Sequence, residues 1–421
     1  MMNRAKKKDI LFMCQYFYPE YISSAVLPFE TSEVLANAGF SVGVLCGYPK
    51  EYSLSTKVPS NELYKGIEIK RLKYIQLKRN NFIGRLINYF SFTFVVTLNF
   101  LYLRKYRSII VYSNPPILPL IAALANKFFN TKLVFVCYDV YPELALVTNS
   151  ISKDSIINKI MNIVNRVVFN RVDKVVALSN EMKAFLLKHR SNLSEQKIEV
   201  IPNWYSGKEY FKSSEVNSRH ETINSIKNKK DGTFVVSYFV NMGICQDLDT
   251  IIEAIKVLRN DNKIKFIFAG HGNKMSLLKE IVVREKLDNV MIFGFLHGQD
   301  YQDALNISDC FIVSLAKGVT GLAVPSKTYS YMMAGKPIIA IMDETADISK
   351  DLKENNAGYV LETGEVSKLV RAIKELRDNP DKCIYMGENC KNIFLKKYTK
   401  EKCTTQYVKM MKNILEGEQN V

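Results

Sequence analysis

The 421-residue sequence has little with which to bind a metal or to build a disulfide framework. Its eight cysteines include no CxxC pair and no regular spacing, and several fall inside apolar, strand-like runs. Buried, reduced thiols of this kind are typical of cytosolic proteins, whereas small secreted domains pair their cysteines. The cysteines therefore argue against a zinc site and against a disulfide-rich fold.

The N-terminus lacks the features of a secretory signal. It starts with the basic stretch MMNRAKKK and continues into a short apolar run, which leads into Gln15 and Pro19-Glu20 without a small-residue cleavage site. We interpret this stretch as a basic tail and a first β-strand, which predicts a protein that stays in the cytoplasm.

Positive charge is abundant and unevenly distributed. The formal net charge is +16, and residues 1–110 hold 16 Lys and Arg against 7 Asp and Glu. A basic surface suits nucleic acid, anionic lipid or a phosphorylated substrate, and it is also common as a plain solvated face. Because no stretch combines basic residues with exposed aromatic residues as RNA-binding motifs do, nucleic acid is the least favoured partner.

Apolar runs alternate with segments of helical spacing along the whole chain, which predicts an α/β protein with parallel sheets buried on both faces. The runs form two series, so we predict two Rossmann-like domains facing a central cleft, residues 1–205 and 233–395, joined by a polar linker at 206–232. Residues 396–421 are predicted to form a helix that packs back on the N-terminal domain. The predicted strands are ILFMC, VGVLC, SIIVY, KLVFVC, KVVAL and EVIP, then TFVVSYFV, KFIFAG, VMIFG, CFIVSL and PIIAIM.

Residues 85–107 are strongly apolar for about 18 residues and have basic residues at both ends. Polar residues interrupt this stretch, and a true membrane span would split one sheet between two sides of a bilayer. We expect a helix of the N-terminal domain that lies on an anionic membrane surface, with an ordinary buried helix as the alternative.

One junction has the features of an anion site. In GLAVPSKTYSYMMAGKP, residues 321–337, a strand leads through a loop to Ser326 and Lys327, where a short helix begins, and the loop has no carboxylate. A helix N-terminus presents unpaired backbone N–H groups, and a lysine adds a full positive charge. The alternative is a helix cap with a solvated lysine.

Several motifs together resemble those of bacterial family 4 glycosyltransferases, most of all the fucosamine-transferase-like subgroup of O-antigen and capsule assembly. The motifs occur in the family's order over nearly the whole chain: QYFYPE, VLANAGFSV, YDVYPE, VALSNEMK, VIPNW, NMG, FAGHG and PSKTYSYMMAGKP. The resemblance implies a GT-B fold, a nucleotide-sugar donor, retention of anomeric configuration, and no metal or other cofactor.

The resemblance also implies functional residues. Asp139 and Lys327 are the catalytic candidates, the former orienting a sugar or acceptor hydroxyl and the latter stabilising the departing diphosphate. Glu20, Glu30 and Glu143 are candidate contacts for the acceptor, with helix capping or surface charge as the alternative. The predicted donor-binding residues are Asn241, Gly243, Gly270, Phe295, Gly318, Gly321, Ser326, Lys327 and Ser330.

The sequence departs from the family pattern at the donor site. Family members usually carry two glutamates eight positions apart, where this chain has Leu322 and Ser330. The basic residue that usually follows the glycine loop is also missing, because Gly243 precedes Ile244-Cys245-Gln246. More of the diphosphate neutralisation is therefore expected from Lys327.

The predicted activity is transfer of a sugar from a UDP-linked donor to a lipid-linked polyprenyl-diphosphate saccharide at the inner face of the cell membrane. A catalytically impaired GT-B partner protein and a non-hydrolysing sugar-nucleotide 2-epimerase are the alternatives. The triplet DLD at 247–249 resembles a metal-binding DxD motif, but it opens a helical run and is better explained as a helix cap.

Overall fold

A computed structural model describes residues 7–50, 57–77, 82–207 and 232–417. Most of the predicted linker lies outside the described residues. The chain divides into two compact units, and each contains one sheet. Unit 1 consists of Met1–Asn203, Gly321–Val324 and Lys400–Val421, and unit 2 consists of Trp204–Thr320 and Pro325–Thr399.

The described strands of unit 1 form one sheet in the order β3-β4-β2-β1-β5-β6-β7-β8. All neighbours are parallel except β3 and β4. The central strands are almost entirely buried because helices cover both faces of the sheet. The strands are β1 (Lys8–Met13), β2 (Val42–Gly47), β3 (Asn61–Tyr64), β4 (Ile67–Leu72), β5 (Tyr106–Tyr112), β6 (Lys132–Cys137), β7 (Lys174–Ala177) and β8 (Ile198–Val200).

Helices α2, α4 and α6 form one layer on unit 1, with α4 packed against both of the others. The chain moves along the sheet in one direction from β4 through β5 and β6 to β7, and right-handed crossovers then place these helices on the same face. The helices are α1 (Ser23–Asn37), α2 (Phe82–Leu98), α3 (Phe100–Leu103), α4 (Leu118–Phe129), α5 (Glu143–Val147), α6 (Ile156–Arg171) and α7 (Asn180–His189).

In unit 2 the described strands are all parallel, in the order β11-β10-β9-β12-β13-β14. The strands are β9 (Phe234–Asn241), β10 (Ile264–His271), β11 (Val290–Phe293), β12 (Cys310–Ser314), β13 (Ile338–Ile341) and β14 (Gly358–Leu361). The helices are α8 (Asp249–Val257), α9 (Met275–Arg284), α10 (Gly298–Ile307), α11 (Thr328–Met333), α12 (Asp347–Glu354), α13 (Val366–Asp378) and α14 (Pro380–Lys397).

The last described helix, α15 (Lys400–Glu416), belongs to unit 1 and packs against α1. Its buried side includes Tyr407, Met410 and Met411. The Lys400 ammonium lies 3.0 Å from a carboxylate oxygen of Glu33, and Arg107 donates a 2.7 Å hydrogen bond to the carbonyl of Leu415.

The apolar segment 85–107 is not one helix, which corrects the expectation from sequence. Helix α2 ends at Leu98, the short α3 follows Asn99, and β5 already begins at Tyr106. Among the described residues, no helix combines the length and the apolar character needed to cross a bilayer.

The aromatic residues of this segment are divided between packed and exposed positions. Phe92 is fully buried and makes an edge contact with Tyr74, and Phe100 packs against Phe129. Phe90 and Phe94 are exposed, with 52% and 63% of their surface accessible. Tyr89 and Tyr102 are intermediate.

Candidate functional site

Lys327 lies at the carboxyl edge of the unit 2 sheet, directly before α11. Its ammonium nitrogen Nζ is 4.4 Å from the centre of the Tyr301 ring and 5.7 Å from that of Phe295. Burial raises the free energy of the ammonium form and lowers the pKa of Lys327 to about 8. A bound anion would compensate this lost hydration, so the position is suited to a negatively charged ligand.

Lys327 itself, rather than the helix that follows, provides this attraction. Helix α11 has only 6 residues, and its N-cap side chain forms no capping hydrogen bond. A helix of this length has a small macrodipole. The helix-terminus contribution expected from the sequence is therefore minor, and the full charge of Lys327 dominates.

Ser330 forms hydrogen bonds within the protein. Its hydroxyl lies 2.6 Å from the Tyr301 hydroxyl and donates to the carbonyl of Lys327 at 2.7 Å. Ser330 is also buried. A donor hydroxyl would compete with these hydrogen bonds, which support Lys327, and a contact between Ser330 and the donor remains a prediction.

Two glycine-containing turns lie beside each other at the ends of β9 and β10. A Cβ atom on Gly270 would lie 2.0 Å from the carbonyl oxygen of Val240, and one on Gly272 would lie 2.4 Å from that of Met242. Only glycine permits such close packing of the two strand ends. A Cβ atom on Gly243 would make only ordinary contacts, the nearest at 3.5 Å from the Gln246 side chain, and the Gly243 N–H donates to that side chain at 3.0 Å.

Three aromatic side chains lie together at the ends of β10 and β11. The ring of Phe295 lies 5.5 Å from that of His271 and is stacked with His297 at 6.5 Å. Asn241 and Gly318 are exposed, and Ser326 is half-buried. Unit 2 thus presents a cation, small turns and aromatic surface along the carboxyl edge of a parallel sheet, where open α/β sheets bind ligands.

Asp139 follows the end of β6 in unit 1. Burial raises the pKa of its carboxyl group to about 6. The Ser113 hydroxyl accepts hydrogen bonds from the backbone N–H groups of Tyr138 and Asp139, both at 3.0 Å. A carboxyl group that titrates near neutrality is suited to hydrogen bonding or proton exchange with a hydroxyl group.

Residues Gly321–Val324 belong to unit 1, so Gly321 is not part of the donor loop in unit 2. Val140 donates its N–H to the carbonyl of Leu322 at 2.8 Å, and Ala323 pairs with Asp139 as an isolated β-bridge. Gly321 has φ +81°, and a Cβ atom there would lie 3.1 Å from the carbonyl oxygen of Glu181. Glycine is therefore favoured here by backbone conformation and packing, and a contact between Gly321 and the donor phosphates remains a prediction.

The three predicted acceptor carboxylates are also used inside unit 1. Glu30 is buried on α1 with Lys400 at 3.6 Å, and Glu20 is buried as well. Both oxygens of Glu143 accept hydrogen bonds from Arg190, at 2.7 and 2.8 Å. These ion pairs indicate a structural role for Glu30 and Glu143, and their contact with an acceptor remains a prediction.

Arg190 fixes the segment that carries Asp139. Besides Glu143, it contacts the carbonyl of Tyr141 at 3.4 Å, and Asn165 donates to the same carbonyl at 2.7 Å. The sequence analysis missed both Arg190 and Tyr301, because neither belongs to a motif and each acts through residues distant in the sequence.

Asp247 of the DLD triplet is a helix-capping residue. Its carboxylate accepts from the N–H of Thr250 at 3.2 Å and from the Thr250 hydroxyl at 2.5 Å. Across the described ranges, no group of three or more His, Cys, Asp or Glu residues could hold a metal ion.

Comparison with protein families matches both halves of the chain. Residues 25–206 match the family described as Glycosyltransferase Family 4, and residues 220–393 match Glycosyl transferases group 1. Both halves of the chain are therefore similar to glycosyltransferase-family domains. The fucosamine-transferase-like subgroup expected from the sequence remains a prediction.

Curated relatives carry related names. The chain is 29% identical over 264 residues to the probable glycosyltransferase WbjE of Pseudomonas aeruginosa, which covers 63% of this chain and 64% of WbjE. It is 22% identical over 210 residues to WcaI of Escherichia coli K12, a putative colanic acid biosynthesis glycosyl transferase, which covers 49% and 50%. The matches thus span about two thirds to one half of these relatives.

The predicted fold is confirmed. HepE of Anabaena, solved in complex with UDP-glucose, superposes with a TM-score of 0.69 at 15% identity, covering 96% of this chain and 100% of HepE. The two parallel-sheet α/β units are therefore those of a GT-B fold.

Proposed function

We propose that the protein is a retaining glycosyltransferase that moves a sugar from a nucleotide-sugar donor to a lipid-linked saccharide in surface polysaccharide assembly. The observation that carries the proposal is Lys327, a half-buried cation at the sheet edge with a pKa lowered by desolvation. The names of WbjE and WcaI support the activity and its setting, and the UDP-glucose complex of HepE supports a UDP-linked donor.

The donor diphosphate is proposed to bind beside Lys327 and the turns at Asn241–Gly243 and Gly270, with its base near Phe295. As the sugar–phosphate bond breaks, negative charge grows on the leaving diphosphate, and Lys327 stabilises it. Asp139 is proposed to hold the acceptor hydroxyl in position. Transfer is proposed to need no metal, because these residues supply the positive charge and the orientation.

The proposed membrane contact explains how such a protein reaches a lipid-linked acceptor. Helix α2 exposes Ile83, Phe90, Phe94 and Leu98, with spacings of seven, four and four residues. Residues at these spacings share one face of a helix. We propose that this face lies on the inner surface of the cell membrane.

The decisive experiment measures nucleoside diphosphate release from UDP-sugars with and without a membrane extract containing lipid-linked saccharides. Release that requires the extract, and that persists in excess EDTA, is expected. Release without an acceptor and conversion to an epimeric UDP-sugar would support the 2-epimerase alternative. Binding of UDP-sugar without any turnover across a broad donor panel would support the catalytically impaired alternative.

A further inference from the structure

Helix α6 exposes a second apolar stripe, which the sequence analysis did not identify. Ile156, Ile160 and Ile163 have 75%, 43% and 61% of their surface accessible. Their spacing of four and three residues places them on one side of the helix. The opposite side carries Met161 and Val164, which are buried in the core of unit 1.

The stripe lies in the same helical layer as the exposed face of α2. Helix α4 lies between the two helices and packs against both. Phe128 at the end of α4 is also 63% exposed. Three neighbouring helices on one face of the sheet therefore show large apolar side chains to solvent, whereas most proteins scatter such residues singly.

The charges of this layer all have one sign. Helices α2, α4 and α6 contain no Asp or Glu. Their charged residues are Arg85, Lys127, Lys159, Arg166 and Arg171. Asp154, directly before α6, is an exposed carboxylate beside this surface, but the charges on the helices themselves are all positive. An apolar surface with mainly positive charge around it complements an anionic lipid headgroup layer.

We propose that α6 is a second membrane-contacting helix and that the outer surfaces of α2, α4 and α6 together form a docking face for an anionic lipid bilayer. This inference rests on the proposed function, in which the acceptor is held in a membrane. Two copies of the chain meeting through this face would bring mainly positive charges together, which disfavours self-association.

The test measures how strongly the wild-type chain and its variants bind to vesicles that are collected by sedimentation. The vesicles contain phosphatidylcholine and about 30% phosphatidylglycerol, which gives them a negative surface potential. The first variant replaces Ile156, Ile160 and Ile163 with Ser. The matched control replaces Val257, Val283 and Ile384, which are exposed aliphatic residues of unit 2, with Ser. We expect roughly tenfold weaker vesicle binding for the α6 variant and no change for the control.

A charge variant gives an independent measurement. Lys153→Glu, Lys159→Glu and Arg166→Glu together are expected to weaken binding to the anionic vesicles about a hundredfold or more. The matched control is Arg259→Glu, Lys279→Glu and Lys286→Glu, on the exposed surface of unit 2. Wild-type binding to vesicles of pure phosphatidylcholine should be much weaker than to the anionic ones.

Equal vesicle binding by the α6 variant and its control would overturn the inference. So would an α6-dependent dimer in sedimentation velocity, or α6-dependent binding to an acidic protein with no binding to vesicles. UDP-glucose binding is measured on the same samples. If the wild-type protein binds UDP-glucose but not vesicles, only the docking face is rejected. If it binds vesicles but no nucleotide sugar, the proposed function is rejected.

Discussion

The ammonium group of Lys327 lies 4.4 Å above the ring of Tyr301. The Tyr301 hydroxyl meets the Ser330 hydroxyl at 2.6 Å, and Ser330 donates to the carbonyl of Lys327. These contacts connect the three residues in a closed arrangement that limits the conformations of the lysine. A cation held in this way loses less conformational entropy when an anion binds.

Replacing Lys327 with Met should weaken UDP-sugar binding while the fold is retained. One charged hydrogen bond to a phosphate contributes about 1.5–3 kcal/mol, which is roughly ten- to a hundredfold in affinity. Isothermal titration calorimetry with UDP-glucose or the true donor measures the change, and Lys279→Met on the surface of α9 is the control. Equal donor affinity in wild type and Lys327→Met would exclude Lys327 from the donor site.

The affinity for a UDP-sugar should fall as the pH rises through about 8. Only the ammonium form of Lys327 attracts the diphosphate, and burial lowers the pKa of Lys327 in the unbound protein to about 8. The pKa of Lys327 is lower in the folded protein than in the unfolded chain, where it is about 10.5. The free energy of unfolding should therefore increase as the pH rises from about 8 to about 10.5. Titrations at pH 7, 8 and 9 check the affinity, and Lys327→Met should remove this pH dependence.

Asp139→Asn should reduce transfer and stabilise unit 1 at the same pH. The folded pKa of Asp139 is raised to about 6, so ionisation above that pH destabilises the native state. Removing the buried charge should add roughly 1–3 kcal/mol to the free energy of unfolding at pH 7.5, and the gain should vanish near pH 4. Urea unfolding at the two pH values and initial rates of transfer measure both effects. A variant that is less stable at pH 7.5, or fully active, would contradict the role given to Asp139.

Sequence patterns predicted the strands that are continuous apolar runs, because burial on both faces selects Val, Ile and Phe without interruption. They missed β3, which has no buried residue, and β4, in which buried residues are interrupted by Glu68 and Lys70. Lys65-Gly66 between these strands is nevertheless a turn signal. Lys65 has φ 50° and Gly66 has φ 76°, as a tight hairpin turn requires. They also missed β14, which has only four residues and begins at Gly358.

Part of the candidate site could also be predicted from the sequence. Lys327 and Asp139 could be proposed because they follow strand ends. The engagement of Glu143 by Arg190, and of Ser330 by Tyr301, could not be read from the sequence, because each pair is separated by 29 residues or more. Tertiary contacts decide which polar side chains remain available to a ligand.

Glu143→Gln should lower stability and leave acceptor binding unchanged. The substitution breaks the paired hydrogen bonds with Arg190, whose side chain is only 9% exposed. Removing the carboxylate partner of a fully buried guanidinium lowers the free energy of unfolding by about 3–5 kcal/mol. The loss should be smaller here, because Glu143 is partly exposed. Thermal unfolding measures the loss, and Glu195→Gln, at an exposed ion pair with Lys183, is the control. A higher acceptor KM with an unchanged melting temperature would restore Glu143 as an acceptor contact.

Replacing Phe90, Phe94 and Leu98 together with Ser should weaken vesicle binding without unfolding the protein. These side chains are 52%, 63% and 70% exposed, so their loss removes apolar surface that could enter a membrane but little that is packed in the core. Transfer to a lipid-linked acceptor should fall, while UDP-sugar binding should stay the same.

Phe92 provides the contrast that separates membrane contact from packing. It is fully buried on the opposite side of α2, and Phe92→Ser should destabilise unit 1 by about 3–5 kcal/mol and lower every activity at once. The outcome that would reject the membrane role is unchanged sedimentation of the Phe90, Phe94 and Leu98 variant with anionic vesicles, at a melting temperature equal to that of the wild type. The exposed stripe of α2 would then need another explanation, because its side chains lie outside the core.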